Sequence, residues 1–305
     1  MIFITELGIN YAFGTDKNKF IDNIKEMIDM VSNSCERSGI DKNEVIIKFQ
    51  KRNVDEAVPE EQKNKEKEVP WRKDKTTYYQ YKMDMELSLE QFKDINKYCK
   101  LKGLQWTASA WDVDSVIFLS NFKIPFIKIP SAKIINEDLV RECAKNFYNI
   151  IISTGMSTEE EIEKCVKWIE EEWKKIEPSE FGTLPNTQLY IMHCNSSYPA
   201  KDEELNLNYI IQLKEKYEDR GHVIGYSGHE EGISACIVAA TIGANIFERH
   251  ITLSRSNWGT DQAASIIYDQ LWRLLRDLNK IDIWRGDGVK KIYESELPIK
   301  KKLRG

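Results

Sequence analysis

The sequence is poor in the features that commit a chain to several common roles. Its 305 residues include only 4 histidines, 8 prolines and 6 cysteines, and no two cysteines form a CxxC pair, which excludes the usual zinc-site and redox-motif readings. Cys35, Cys99, Cys143, Cys165, Cys194 and Cys236 lie scattered through apolar or helical stretches and read as reduced core residues. Basic charge is not in excess: 44 Lys and Arg face 49 Asp and Glu. Neutralising a phosphate backbone needs a net basic surface, so nucleic acid is excluded as a main partner. No run of about 18 apolar residues occurs. The opening Met1-Ile2-Phe3-Ile4-Thr5-Glu6 has neither a basic leader region nor a cleavable apolar stretch. The expectation is a cytoplasmic protein with no membrane partner.

What is present is an alternation. Short β-branched or aromatic runs at Ile2-Thr5, Val45-Phe49, Leu104-Ala108, Phe126-Ile129, Asn149-Ser153, Gln188-His193, Val223-Tyr226 and Asn245-Glu248 are separated by stretches of helical period. In the first of those, Phe20, Ile24, Met27, Ile28 and Val31 form one apolar stripe with Asp, Lys and Glu opposite. Further helices are predicted near Ser88-Leu101, Thr158-Trp173, Asn206-Glu218, Glu231-Ile242 and Tyr268-Lys280. Repeated βα units without a strong linker predict residues 1–305 as a single α/β domain, a (β/α)8 TIM barrel, with an open doubly wound sheet as the alternative of similar period. Residues 51–86 interrupt the pattern after the second strand. They carry a Lys/Glu-rich run and then Pro70, Trp71, Tyr78, Tyr79 and Tyr81. This insertion reads as a solvated loop, or as a lid whose tyrosines offer flat faces to a sugar. Lys300, Lys301, Lys302 and Arg304 form a basic C-terminal tail, expected to be frayed.

A barrel interior is apolar unless a site needs otherwise, so polar residues at strand ends are the informative ones. Here they include Glu6, Asn10, Lys48, Gln50, Ser109, Lys128, Ser131, Ser153, His193, Ser196, Tyr198, Ser227, His229 and His250. Two of the histidines end successive strands, about 5 Å apart in a parallel sheet, so both imidazoles can reach one ion. Glu248 precedes His250 on the same strand face and is expected to orient its ring; Asp261 follows in a Gly-Thr-Asp loop. Lys48 and Lys128 would be costly to bury unless they meet anions. The serines around them supply hydroxyl donors for a phosphate and a carboxylate, although a lone serine at such a place is commonly a turn residue or helix cap.

The segments Glu6-Leu7-Gly8-Ile9-Asn10, Lys48-Phe49-Gln50, Lys128-Ile129-Pro130-Ser131, Ser153-Thr154-Gly155-Met156-Ser157, His193-Cys194-Asn195-Ser196-Ser197-Tyr198-Pro199, Gly225-Tyr226-Ser227-Gly228-His229 and Glu248-Arg249-His250-Ile251-Thr252-Leu253 together resemble the sialic acid (N-acetylneuraminate) synthase family, over nearly the whole chain. The resemblance implies a barrel enzyme, a transferase, joining phosphoenolpyruvate to the aldehyde of an N-acetylhexosamine-type sugar. The products would be a nonulosonate and phosphate. It implies Mn2+, with Mg2+ or Co2+ as the other candidates, held by His229 and His250. Lys48, Ser109, Lys128, Ser131, Ser153, Ser196 and Ser227 would bind phosphoenolpyruvate, and Gln50, Tyr198 and Asp261 would contact the sugar. Glu6 is the candidate for handling a water or proton at the reacting carbons. A homodimer is implied as well.

Three departures from the family's pattern stand out. Lys133 occupies a position on the sugar side where many members carry an acid, so the acceptor is expected to differ. Gly228 stands where the histidine motif often has Asp, with loss of a polar group expected. Many members also continue into a small C-terminal antifreeze-like domain whose arginine reaches the sugar in a partner subunit, whereas this sequence stops at Gly305. The competing readings are a metal-dependent pyruvate aldolase and a non-catalytic sugar-binding barrel.

Overall fold

A computed structural model describes residues 1–177 and 186–305. Eight parallel strands close into a barrel: β1 (Ile2–Leu7), β2 (Val45–Lys51), β3 (Gln105–Ala110), β4 (Ile127–Ile129), β5 (Asn149–Ser153), β6 (Gln188–Cys194), β7 (Val223–Gly228) and β8 (Ile246–Ile251). Each neighbours the next in sequence, and β8 returns to pair with β1. The principal helices on the outside are α1 (Lys17–Ser38), α2 (Leu89–Leu101), α3 (Val113–Ser120), α4 (Glu137–Asn146), α5 (Glu159–Trp173), α6 (Tyr209–Tyr217), α7 (Ser234–Thr241) and α8 (Tyr268–Leu278). The open-sheet alternative is thereby excluded.

Local chemistry sets the helix starts. Ser88 with Gln91, and Thr158 with Glu161, form reciprocal capping boxes at α2 and α5. Asp16 and Asn136 cap α1 and α4 with their side-chain oxygens. The apolar stripe of α1 is buried as its spacing predicts, with Ile24, Met27, Ile28 and Val31 fully enclosed.

The boundaries differ from expectation in an instructive direction. Most strands run on past the apolar run into polar residues, because a parallel ladder continues as long as the backbone pairs, whatever the side chain. Glu6 thus pairs with both Lys48 and His250 in register. The helices expected at 206–218 and 231–242 begin later, at Tyr209 and Ser234. Asn206 has φ 42° and Gly232 has φ 83°, and neither residue can sit in a right-handed helix with that backbone. Helices α3 and α4 were not marked by the periodicity: α3 is only 8 residues, Val113–Ser120, and largely apolar. The basic tail is ordered as an exposed helix, Leu297–Arg304, not frayed. Pro298 in its first turn and Lys301, Lys302 and Arg304 in its last suit the start of a helix and the negative end of its dipole. No described helix is long and apolar enough to cross a membrane.

The 51–86 insertion is structured. Short helices at Val54–Ala57 and Glu60–Lys63 lead to a two-stranded antiparallel ribbon, Glu66–Lys67 with Thr76–Thr77, and then to a helix, Tyr78–Met85. Buried Asp84 anchors it, accepting from Arg72 at 2.8 Å, from Gln80 at 2.9 Å and from the Trp71 indole at 3.1 Å. Tyr81 packs between Trp71 and Trp258, tying the insertion to the loop after β8. Of the three tyrosines expected to face a sugar, only Tyr78 lines the barrel mouth. Tyr81 is core, and Tyr79 donates its hydroxyl to Asp55 at 2.9 Å.

Inward-facing residues alternate along each strand and change character with depth. The lower part of the barrel is plugged by Ile4, Ile46, Phe126, Ile151, Met192 and Ile246. Two residues further along the same strands come Glu6, Lys48, Lys128, Ser153, Cys194 and Glu248.

Candidate active site

That change of character opens into a cavity of about 500 Å³ at the C-terminal mouth. Every candidate residue named from the sequence lines it: Glu6, Lys48, Gln50, Ser109, Lys128, Ser131, Lys133, Ser153, Ser196, Tyr198, Ser227, His229, His250 and Asp261. Two other strand-end residues face elsewhere. His193 points outward, its Nε2 2.7 Å from the Leu205 carbonyl, and Asn10 caps the turn at Ala12.

The floor of the cavity is an ion-pair lattice. Lys48 donates to Glu6 and, at 3.1 Å, to Ser109; it also lies 3.6 Å from Glu248. Lys128 donates to Glu248, which accepts at 3.1 Å from Ser227 as well. These four charged side chains are nearly inaccessible, between 2% and 5% exposed. Burial by itself would raise the pKa of Glu6, but Lys48, His250 and the hydrogen bond from Gln50 outweigh it and hold Glu6 well below the ordinary carboxylate range. Glu248 is likewise lowered against its burial, by Lys128 and Lys48. Burial disfavours the charge on Lys48 too, yet Glu248 and Glu6 raise its pKa above the ordinary value. Lys128 is shifted down, by burial and by neighbouring Lys48 against the pull of Glu248. Glu248 therefore partners the lysines. The expectation that it orients His250 is corrected: its carboxylate turns across the lumen, and Glu6 takes that place, with Oε2 3.3 Å from His250 Nε2.

Around this lattice stand donors for an anion. Ser153 Oγ and one oxygen of Glu248 are buried without a hydrogen-bond partner, so the described contacts leave polar capacity to be met by something bound. Gly155 keeps a gap open: a Cβ there would lie 2.1 Å from Ser196 Oγ and 3.1 Å from Ser131 Oγ. Glycine there leaves both hydroxyls their places beside the cavity.

The two histidines stand side by side at the mouth. Their ring centroids are 5.2 Å apart. His229 Nδ1 lies 2.7 Å from the carbonyl of Asn195. In the neutral ring that contact sets the proton on Nδ1 and leaves Nε2 with its lone pair, the usual arrangement behind a metal-ligating histidine. His250 Nδ1 is buried without a hydrogen-bond partner and 3.8 Å from Asp261. Among the described residues no set of three or more His, Cys, Asp or Glu side chains is gathered as a metal centre. An ion here would thus have two imidazole nitrogens and open positions for water or substrate. Tyr198 covers the pair, its ring 4.1 Å from that of His229.

Gly228 is corrected by the same parity that selects its neighbours. A Cβ on it would point away from the cavity and meet Glu230 at 2.6 Å. Glu230 is bound there by the fully buried Arg249 and by the Tyr226 hydroxyl at 2.7 Å. Glycine at 228 leaves room for that network and takes no polar group from the site.

Sequence reasoning missed Arg52, Lys82, Trp111 and Cys194, all of which line the cavity. Arg52, Trp111 and Cys194 carry a legible signal: each continues the two-residue alternation through Lys48 and Gln50, through Ser109, or through Met192. Lys82 lies in the insertion, and no period points to it.

The NeuB family pattern matches residues 30–290 of this sequence. This chain belongs to the NeuB family. It is 30% identical over 227 residues to the human N-acetylneuraminate-9-phosphate synthase, a match covering 74% of this chain and 59% of that one. It is 27% identical over 301 residues to the N,N'-diacetyllegionaminic acid synthase of Legionella pneumophila, covering 99% and 78%. Among solved structures it superposes on the N-acetylneuraminic acid synthetase of Leptospira borgpetersenii with TM-score 0.74 and 25% identity, covering 99% of this chain and 92% of that one. The chain spans 47% to 59% of the lengths of its human, mouse and Drosophila relatives. In this NeuB barrel, the strand-end motifs line the deep part of the cavity and the insertion adds Tyr78 and Lys82 to its wall.

Proposed function

We propose that this protein condenses phosphoenolpyruvate with the aldehyde of an N-acetylhexosamine-type sugar, giving a nonulosonate and phosphate. The observation that carries the reading is Lys48 and Lys128 buried at one mouth with Ser109, Ser131, Ser153, Ser196 and Ser227. The names of the relatives, synthases of N-acetylneuraminate 9-phosphate, diacetyllegionaminic acid and pseudaminic acid, support the product class. Positive charge is concentrated locally. Arg52, Lys48, Lys82, Lys128 and Lys133 line the cavity against Glu6, Glu248 and Asp261, in a chain whose formal net charge is -5.

His229 and His250 would hold a divalent ion, Mn2+ first among the candidates, which when bound supplies Lewis acidity toward the aldehyde oxygen. Lys48 and Lys128 bind the carboxylate and phosphate of phosphoenolpyruvate in part exchange for their glutamates, and the serine hydroxyls fix its orientation. The C3 carbon of phosphoenolpyruvate attacks the aldehyde carbon, and positive charge develops at C2. Water adds to C2, and Glu6, freed as Lys48 turns to the substrate, takes its proton and passes it to the former aldehyde oxygen; the new C2 hydroxyl gives its proton to the departing phosphate. The C2–O bond then breaks, phosphate leaves with the bridging oxygen, and the lysines stabilise the departing charge.

The test is incubation with Mn2+, phosphoenolpyruvate labelled with 18O at the bridging position, and a panel of N-acetylhexosamines. The label is expected in the released phosphate, and the C2 keto oxygen is expected to come from water. Turnover of free pyruvate in place of phosphoenolpyruvate would establish an aldolase instead.

A further inference from the structure

His229 and His250 line the cavity, and the two-residue alternation therefore turns their neighbours, Glu230 and Arg249, to the opposite face, among the helices. Both neighbours are buried, Arg249 completely. The Arg249 guanidinium donates to the carboxylate and to the carbonyl of Glu230, to the Gly232 carbonyl at 2.8 Å and to the Ala264 carbonyl at 3.4 Å. All of these bonds come from its two terminal nitrogens, while Nε is buried without a partner. The Glu230 carboxylate also accepts from the Tyr226 hydroxyl at 2.7 Å. One planar group thus joins the strand that carries His250, the loop that follows His229 and the loop that carries Asp261. Stability alone does not account for it. Phe247 and Ile251, which share the outer face of β8 with Arg249, belong to the apolar core, and a well-packed apolar side chain in place of a buried ion pair is commonly as stable or more so.

We propose that Arg249, acting through Glu230, is a positioning residue that fixes the spacing of His229 and His250 from behind, and with it the fit of a divalent ion between them. The inference rests on the synthase reading, in which the two imidazoles are the protein's ligands to that ion. The two histidines are not held alike. His250 lies inside β8, in register with Glu6 of β1, whereas His229 lies one residue past the end of β7 at Gly228, where the barrel ladder has stopped. Its backbone is held there by Ala200, whose N–H donates to the His229 carbonyl at 3.1 Å, and through the next residue by Arg249. Arginine suits this place because its flat fork reaches a carboxylate and several carbonyls at once, where lysine offers a single point of charge.

The experiment measures by calorimetry the Kd for Mn2+ and, separately, the Kd for phosphoenolpyruvate, in the unsubstituted chain and in two variants. Arg249→Met combined with Glu230→Gln removes both charges together, so neither is left buried alone and the fold is expected to hold. Arg249→Lys keeps a charge beside Glu230 and lacks the fork. Mn2+ binding should weaken about tenfold or more in the double variant, on the scale of losing a group that orients a metal ligand, and by a smaller factor in Arg249→Lys. The Kd for phosphoenolpyruvate should stay unchanged, because Lys48 and Lys128, which bind it, stand on β2 and β4. Weakening of both ligands by the same factor overturns the assignment, since a loosened barrel mouth acts on the two alike. Unchanged Mn2+ affinity in the folded double variant also overturns it and leaves the synthase reading standing. If the double variant does not fold, Arg249→Lys decides alone, and unchanged Mn2+ affinity there overturns the assignment. No binding of Mn2+ by the unsubstituted chain overturns it together with the reading of the two histidines as metal ligands.

Discussion

The two ends of the barrel lumen are built from the same strands and differ only in which residue of the alternation is reached. At the lower end Ile4, Ile46, Phe126, Ile151, Met192 and Ile246 pack into a dry plug. Two residues on, Glu6, Lys48, Lys128, Ser153, Cys194 and Glu248 line an open cavity. The plug is held by area removed from water, which is indifferent to pairing. The mouth is held by a closed lattice of opposite charges, whose desolvation is repaid only while every partner is present. One end can thus be expected to govern stability and the other to govern chemistry, and substitutions on either side of the boundary test that division.

The largest contrast should come from His250→Ala. Phosphate release in the presence of Mn2+ is expected to fall to the assay floor and Mn2+ binding, followed by calorimetry, to be lost. The melting temperature should move only modestly: Nδ1 is unpartnered, and Glu6, which loses Nε2 at 3.3 Å, keeps Lys48 and Gln50. Collapse of the fold would instead place His250 with the plug. Lys128→Met should act on both sides of the boundary. It should raise KM for phosphoenolpyruvate and cost up to about 3–5 kcal/mol in urea unfolding, because it leaves Glu248 with a weaker set of partners. The sequence alone suggests only the first of these effects for this lysine.

Met192→Ala, one step below Cys194 on the inward face of β6, should cost about 2–5 kcal/mol of stability. Its KM for phosphoenolpyruvate should match that of the unsubstituted protein; a shift in KM would show that the plug shapes the site. The finest measurement is the slope of stability against acid pH in Glu6→Gln, taken apart from the loss of its pairing with Lys48. Glu6 has a folded pKa below its ordinary 4.5, so its contribution is present above that value and is lost as pH falls through the range below it. Removing the titration should flatten the fall of unfolding free energy below pH 4.5, by at most about 1.4 kcal/mol per pH unit. An unchanged slope would show that Glu6 is not ionised in the lattice.

The eight strands and the location of the chemistry at their C-terminal ends were legible because both follow from short-range patterns. A run of β-branched residues marks a strand, and a polar residue two places beyond an inward apolar one must share its face. The same rule would have found Arg52, Trp111 and Cys194. What it leaves open is whom a charge meets. Glu248 and His250 share a strand, and nearness in sequence suggested that one serves the other. The carboxylate instead crosses the lumen to Lys128, 120 residues away. Gly228 misled for a related reason: its neighbours at 227 and 229 face the cavity, so it faces Glu230. The insertion was the least readable part, since its position depends on Asp84 gathering Arg72, Trp71 and Gln80 and on Tyr81 finding Trp258.

By itself the sequence determined the alternation of strand and helix, the set of residues that reaches the barrel mouth, and membership of a family through the order of its motifs. All of these depend on periods of two and 3.6 residues and on local chain order. Only the tertiary structure decided that Glu6 and Glu248 neutralise the two deep lysines, that Glu6 lies beside His250, and that Lys82 of the insertion reaches the cavity wall. Those are contacts between distant segments, set by barrel closure and by the docking of the insertion, and no local period encodes them.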